Sequence, residues 1–232
     1  PQDGVQVGDF AGVGAGNDNL IEYLTLLGNG ASGVYVYGGD SGGGQNNTVR
    51  LSLIGTANNN AAACVPGEGN GYGVYIAANA TGTMVGGSVI VCNLVDGVSI
   101  DGSGGAPLNT TISTNGIGIT ASDSDLGNGY AGVAIYGGAR MVYVGTSNVI
   151  SGNDRQGIYT AGSGTSNITI TSNRIGTDRN GSSAVPNAQA GIMIENANSA
   201  NALIASNTIA GNGEAGVLIS VSTRAHVQGN RT

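Results

Sequence analysis

Asp123 and Asp125, in the loop Asp123-Ser124-Asp125, form the tightest carboxylate pair in this 232-residue sequence. Alternating oxygens at that spacing suit a hard cation such as Ca²⁺, but an all-protein site takes roughly 6–8 oxygens and few other acids are fixed nearby. The pair therefore reads first as a solvated polar loop and only weakly as a calcium site, and no other metal or cofactor is expected. Asp178-Arg179, in the equivalent loop one repeat later, interrupts any acidic ladder. Asp96 and Asp101 flank Gly97–Ile100, where Asp beside Gly is ordinary turn chemistry. The single histidine, His226, lies in Arg224-Ala225-His226-Val227-Gln228 with no partner that would make a triad or a zinc site. Arg50, Arg140 and Arg174 sit at strands and read as solubilising surface groups or caps over polar rungs. No catalytic residue emerges, and the chain is read as a non-enzyme.

Two further sets of side chains carry chemistry of another kind. Cys64 and Cys92 lie nine and five residues before Gly73 and Gly97, glycines that open successive repeats, so the spacing predicts a disulfide across neighbouring repeats. Tyr35, Tyr37, Tyr72, Tyr75, Tyr130, Tyr136, Tyr143 and Tyr159 are grouped in the middle of the chain. An exposed row of them would stack on sugar rings; cross-strand Tyr packing explains the grouping equally well.

The elements that must position these residues follow from a repeat. A tetrad of Gly, Val or Ile, any residue, and a β-branched residue begins at Gly4, Gly33, Gly73, Gly97, Gly132, Gly157, Gly191 and Gly216. Successive glycine numbers differ by 29, 40, 24, 35, 25, 34 and 25, so short and long units alternate. Asn29, Asn93, Asn153 and Asn212 each stand four residues before a tetrad glycine, with Leu26, Ile90, Ile150 and Ile209 three residues earlier. The long units carry polar insertions at about 57–72, 121–131 and 178–190.

Apolar and polar residues alternate within each unit, as in Ile168-Thr169-Ile170-Thr171, which is strand periodicity. A unit of some 25 residues with two or three short strands cannot bury its own apolar face, so units must stack. The expected fold is an all-β, single-stranded parallel β-helix (a β-solenoid) of about eight rungs. Its corners are expected to be made by tetrad glycines at positive φ and by an Asn column in the left-handed region, with Asn side chains laddered from rung to rung. The insertions are expected to project from one corner as a row of loops and to be the main contact surface.

Charge and composition exclude other classes. The formal net charge is −7, all seven basic residues are Arg, and only 9% of residues are charged, which leaves no cationic stripe for nucleic acid. No apolar run approaches the ~18–20 residues of a membrane-spanning helix. The chain begins at Pro1 without a basic and then apolar leader, and is expected to be a mature chain or fragment. One cysteine pair and the absence of Lys suit an extracellular or cell-surface protein.

The phrases Ile150-Ser151-Gly152-Asn153, Ile209-Ala210-Gly211-Asn212 and Ile175-Gly176-Thr177-Asp178 resemble the β-helix repeats of the pectin-lyase-like superfamily, of the kind found in large secreted bacterial surface proteins. The resemblance covers essentially the whole chain and implies a right-handed coil. Enzymes of this superfamily act on acidic polysaccharides through Asp clusters and a basic proton acceptor, and no such set can be carried over here. The sequence therefore predicts one domain over residues 1–232, uncapped at both ends. Its expected role is structural: end-to-end self-association into a surface filament, or part of an adhesive stalk. The alternative is a polysaccharide-binding or polysaccharide-cleaving domain.

Overall fold

The structure, a computed structural model, describes residues 2–9, 16–197, 201–222 and 224–232. All its named elements are strands, and they make three parallel sheets wound as a right-handed β-helix. The first sheet contains Val5–Gly8, Ser32–Tyr37, Tyr72–Ala77, Val98–Asp101, Val133–Tyr136, Ile158–Thr160, Ile192–Ala197 and Val217–Ser222. These are the eight tetrads, stacked in register from Val5 opposite Val34 to Ile192 opposite Val217. The second sheet runs from Leu20–Glu22 to Ala225–Gln228 in eight strands, and the third from Thr25–Leu26 to Thr208–Ile209 in seven.

Period-2 alternation sends one set of side chains from every sheet into the bore. One rung contributes Val133 and Ile135 from the first sheet, Val144 from the second and Ile150 from the third, all fully buried. Each such side chain stabilises the fold by about 1.5–3 kcal/mol. Thr160 interrupts the column between Ile135 and Ile194, and its hydroxyl has no hydrogen-bond partner.

The corners differ from the sequence expectation in two ways. None of the tetrad glycines has a positive φ. They are required for room: a Cβ on Gly97 would stand 2.7 Å from the Gly132 carbonyl oxygen, 2.7 Å from Ile117 Cγ2 and 2.8 Å from Asn128 Nδ2. Nor does the Asn column adopt the left-handed conformation. In the short units the residue before it does so, at Gly28 (φ 62°), Cys92 (58°), Gly152 (77°) and Gly211 (72°). That kink leaves the Asn itself free to turn its amide along the axis into the next rung.

The ladder is also longer than the sequence pattern indicated. Asn29, Asn70, Asn93, Asn128, Asn153, Asn187 and Asn212 are joined by Nδ2-to-Oδ1 bonds of 2.7–2.9 Å, so long rungs contribute as well as short ones. A second ladder stands at the corner entering the third sheet, where Asn115, Asn148, Asn173, Asn207 and Asn230 are linked at 2.8–3.2 Å. Both ladders satisfy groups that would otherwise be orphaned in the interior; Asn128 Nδ2, for example, also donates to the Ile90 carbonyl.

The insertions share the corner between the third and first sheets and touch across the short rungs. Ala121 N–H donates to the Asn59 carbonyl at 3.1 Å, and Arg179 N–H donates to Asp123 Oδ1 at 3.1 Å. Cys64 in the first insertion is disulfide-bonded to Cys92, with Cα atoms 5.6 Å apart, which ties that loop to the rod.

Candidate functional site

Two outward positions repeat along the first sheet, two and four residues after each tetrad glycine. In successive rungs they hold Tyr35 and Tyr37, Tyr75 and Ala77, Ser99 and Asp101, Ala134 and Tyr136, Tyr159 and Ala161, and Met193 and Glu195. One diagonal contact recurs between them. The side chain at the first position of one rung meets the second position of the next: Tyr75 Oη donates to Asp101 Oδ2 at 2.6 Å, Ser99 Oγ lies 3.1 Å from Tyr136 Oη, and Tyr159 Oη donates to Glu195 Oε2 at 2.7 Å. The carboxylates thus fix the tyrosine hydroxyls and leave the rings on the surface, each half-buried by its neighbours.

The rings form a connected patch at the N-terminal half of this face. Tyr35 and Tyr75 pack tilted across rungs at 5.4 Å between centroids, Tyr72 and Tyr75 tilted at 5.0 Å, and Tyr35 and Tyr37 edge-on at 5.8 Å. Asp3, Tyr35, Tyr72 and Tyr75 line a shallow cleft of about 300 Å³ beside them. A second cleft, of about 190 Å³, opens further along the same face between Asp96, Tyr130, Arg155, Tyr159 and Glu195. The Arg155 guanidinium lies 4.2 Å over the Tyr130 ring.

Burial and hydrogen bonding set the charge states. Asp96 is 7% exposed, accepts the Ala131 N–H at 3.1 Å and the Ser99 hydroxyl at 3.2 Å, and is pushed up to about 6 by its burial. Burial also pushes Asp101 up, but hydrogen bonds from Tyr75 and Ser103 outweigh it and hold the carboxyl below its usual range. Burial, reinforced by the bond to Glu195, raises the Tyr159 hydroxyl to about 12, and Tyr75 is raised by burial and its bond to Asp101. These tyrosines are neutral donors at physiological pH.

The sequence candidates fall elsewhere. Asp123 is 3.7 Å from Arg179 and accepts its backbone N–H, while burial and then the charge of Asp154 raise the Asp125 carboxyl. Among the described residues no cluster of three or more His, Cys, Asp or Glu could hold a metal ion. Asp178 accepts hydrogen bonds from Ser182 within its own loop. His226 is exposed on the outer face of the second sheet, in the column of Leu203, and Tyr143 lies on that sheet too, apart from the other rings. Of the insertions, expected to be the main contact surface, only the last residues reach the ring contacts: Tyr72 packs on Tyr75 and Tyr130 lies under Arg155. Asp96 and Asp101, read in the sequence as turn residues, prove to be part of the aromatic face. Counting two and four residues from each tetrad glycine was the signal that would have found Asp101; Asp96, one residue before Gly97, falls outside that count.

Comparison with known proteins agrees with the coil. No curated protein matches the sequence significantly. Among solved structures, the periplasmic alginate epimerase AlgG T265N T268M double mutant superposes with a TM-score of 0.65 at 12% identity, over 97% of this chain and 48% of that one. The A-modules of the Azotobacter vinelandii mannuronan C-5 epimerases AlgE6 and AlgE4 give TM-scores of 0.57 and 0.54 at 15% and 16% identity. They are covered over 52% and 65% of their lengths by 93% and 97% of this chain. The chain thus spans about half the length of AlgG, and at these identities the likeness concerns the fold. The profile of the right-handed β-helix region matches residues 57–232, more than half of the sequence, and the chain belongs to that family.

Proposed function

We propose that this chain is an extracellular β-helix module that binds a polysaccharide along the outer face of its first sheet, without turning it over. The observation that carries this reading is the run of tyrosine rings held by the recurring diagonal bond to a side chain of the next rung. Flat apolar ring faces bordered by oxygen acceptors match the two surfaces of a sugar, its C–H face and its hydroxyls. The rung step of ~4.8 Å is about the length of one pyranose, so an extended glycan along the axis meets an equivalent position at each rung. The proteins that share the fold support the reading, since those named above are described as epimerases of alginate or mannuronan. A binding role without turnover is favoured because Asp101 and Glu195 are engaged as anchors for tyrosine hydroxyls.

The test is native affinity electrophoresis through gels containing soluble polysaccharides, with the Tyr35→Ala/Tyr75→Ala double variant alongside. Retardation of the wild type that is lost in the variant is expected, with no new reducing ends or unsaturated product. Product formation would reverse the non-catalytic part of the proposal.

A second reading has one observation in its favour. Each ladder Asn donates forward to the Oδ1 of the next, so the ladder is polar, and a further rung or a second copy stacked head to tail along the axis would meet complementary groups. Fibres in electron micrographs of the purified chain are the expected result if axial self-association is its role.

A further inference from the structure

Resting on the binding reading, we infer that the first-sheet face selects an uncharged polysaccharide and excludes uronate polymers, unlike the alginate named for its structural neighbours. The charged groups lining the two clefts are Asp3, Asp96 and Glu195 against the single guanidinium of Arg155, and Asp101 adds a further carboxylate under Tyr75. Arg155 is already stacked on Tyr130. A polyuronate places one carboxylate on every sugar. Laid along this face it would pass carboxylates at three levels of the coil, at Asp3, at Asp96 with Asp101, and at Glu195, with one cation to offset them, and like charges so placed repel.

A neutral glycan meets no such penalty. Its hydroxyls donate to carboxylate lone pairs that the tyrosines leave open: Asp101 takes one tyrosine hydroxyl and the Ser103 N–H, and Glu195 takes one tyrosine hydroxyl, whereas two carboxylate oxygens offer about four acceptor sites. Its C–H faces cover the rings of Tyr35, Tyr72 and Tyr75. A face that holds its acids as hydrogen-bond acceptors and its aromatic rings as platforms is built for hydroxyls and ring faces, and the shortage of cations makes it selective against acidic sugars.

The experiment compares retardation by hydroxyethylcellulose and soluble β-glucan, by alginate and polygalacturonate, and by partly acetylated chitosan, at low and at moderate salt. The expected result is retention by a neutral polymer that salt leaves within twofold, and none by either uronate. In the Asp101→Asn/Glu195→Gln variant, retardation by alginate or polygalacturonate should appear, at least threefold above the smallest mobility change the gels resolve. Uronate retention equal to or stronger than neutral retention overturns the selectivity while leaving the binding reading in place. Retention by chitosan that exceeds neutral retention and collapses in salt likewise overturns it in favour of simple charge attraction. No retention by any class overturns the binding reading itself.

Discussion

The outer faces of the first and second sheets are built on the same rod, by the same winding, at the same rung spacing, yet they present different chemistry. The second sheet turns Leu20, Thr48, Met84, Thr111, Tyr143, Thr169, Leu203 and His226 outward in one column, with no stacked ring pair among its described residues. The first sheet turns out tyrosines anchored by side chains of the next rung. Inside, the two sheets are alike, with Val49, Val85, Ile112 and Val144 on one side and Val34, Val74, Val98 and Val133 on the other, all fully buried. Packing therefore dictates the inward column on both sheets and leaves the outward column open to selection. A difference between outward columns is a statement about what each face touches.

That comparison can be broken from inside. Ile135→Ala removes a fully buried side chain shared by neighbouring rungs, and about 3–4 kcal/mol of stability should go with it in urea unfolding. Asn153→Ala strips the acceptor from Asn128 and the donor to Asn187 and should cost about 3 kcal/mol. Both substitutions should weaken glycan retention only through unfolding, and full retention should return under conditions where the variant remains folded. Reducing the Cys64–Cys92 bond, which closes a separation of 28 residues, should lower stability by about 3 kcal/mol without changing retention, since the bond lies on the insertion side.

Substitutions on the surface sharpen the comparison. Tyr75→Ala should leave folding within about 1 kcal/mol and weaken binding tenfold or more, or about 1.4 kcal/mol, while Thr111→Ala on the second sheet changes neither. Asp96 gives an effect that a pH series resolves. Its folded-state value of about 6 lies above the unfolded one near 3.8, so the folded chain holds the proton more tightly. Asp96 therefore lowers stability as pH rises from about 4 to about 6, by about 2–3 kcal/mol in all, and the loss is complete above that window. In Asp96→Asn that slope should disappear when unfolding free energies are compared with wild type across pH 4–7.

Much of the coil was legible because its constraints repeat. The eight tetrads set the first sheet, and the alternation of short and long units placed the insertions at one corner. The glycines were assigned the right place and the wrong reason: the requirement is space against the next rung's carbonyl and Ile methyl, which no local dihedral preference reveals. Asn128 and Asn187 also stand four residues before a glycine, and the second ladder is written as Thr114-Asn115-Gly116-Ile117, Ser147-Asn148-Val149-Ile150 and Ser172-Asn173-Arg174-Ile175, phrases that a search centred on glycine passes over. Three of the six Asn-x-Ser/Thr phrases in the sequence have a structural source as well. At Asn46, Asn109 and Asn167 the left-handed corner residue is followed by a buried residue and then an outward Thr. The aromatic face was harder to read because its pairs join different rungs: Tyr75 and Asp101 are 26 residues apart, and Tyr159 and Glu195 are 36. Only a register fixed across rungs brings them together.

The most direct test of a glycan-binding first sheet is backbone amide chemical-shift mapping of the isotope-labelled chain titrated with a neutral oligosaccharide fragment of the retained polymer. The account predicts saturable shifts confined to the strands Ser32–Tyr37, Tyr72–Ala77, Val98–Asp101 and Ile158–Thr160 and the clefts beside them. Shifts centred on the outer parts of the insertions, at about 57–69, 121–127 and 178–186, or on the second sheet, would contradict it.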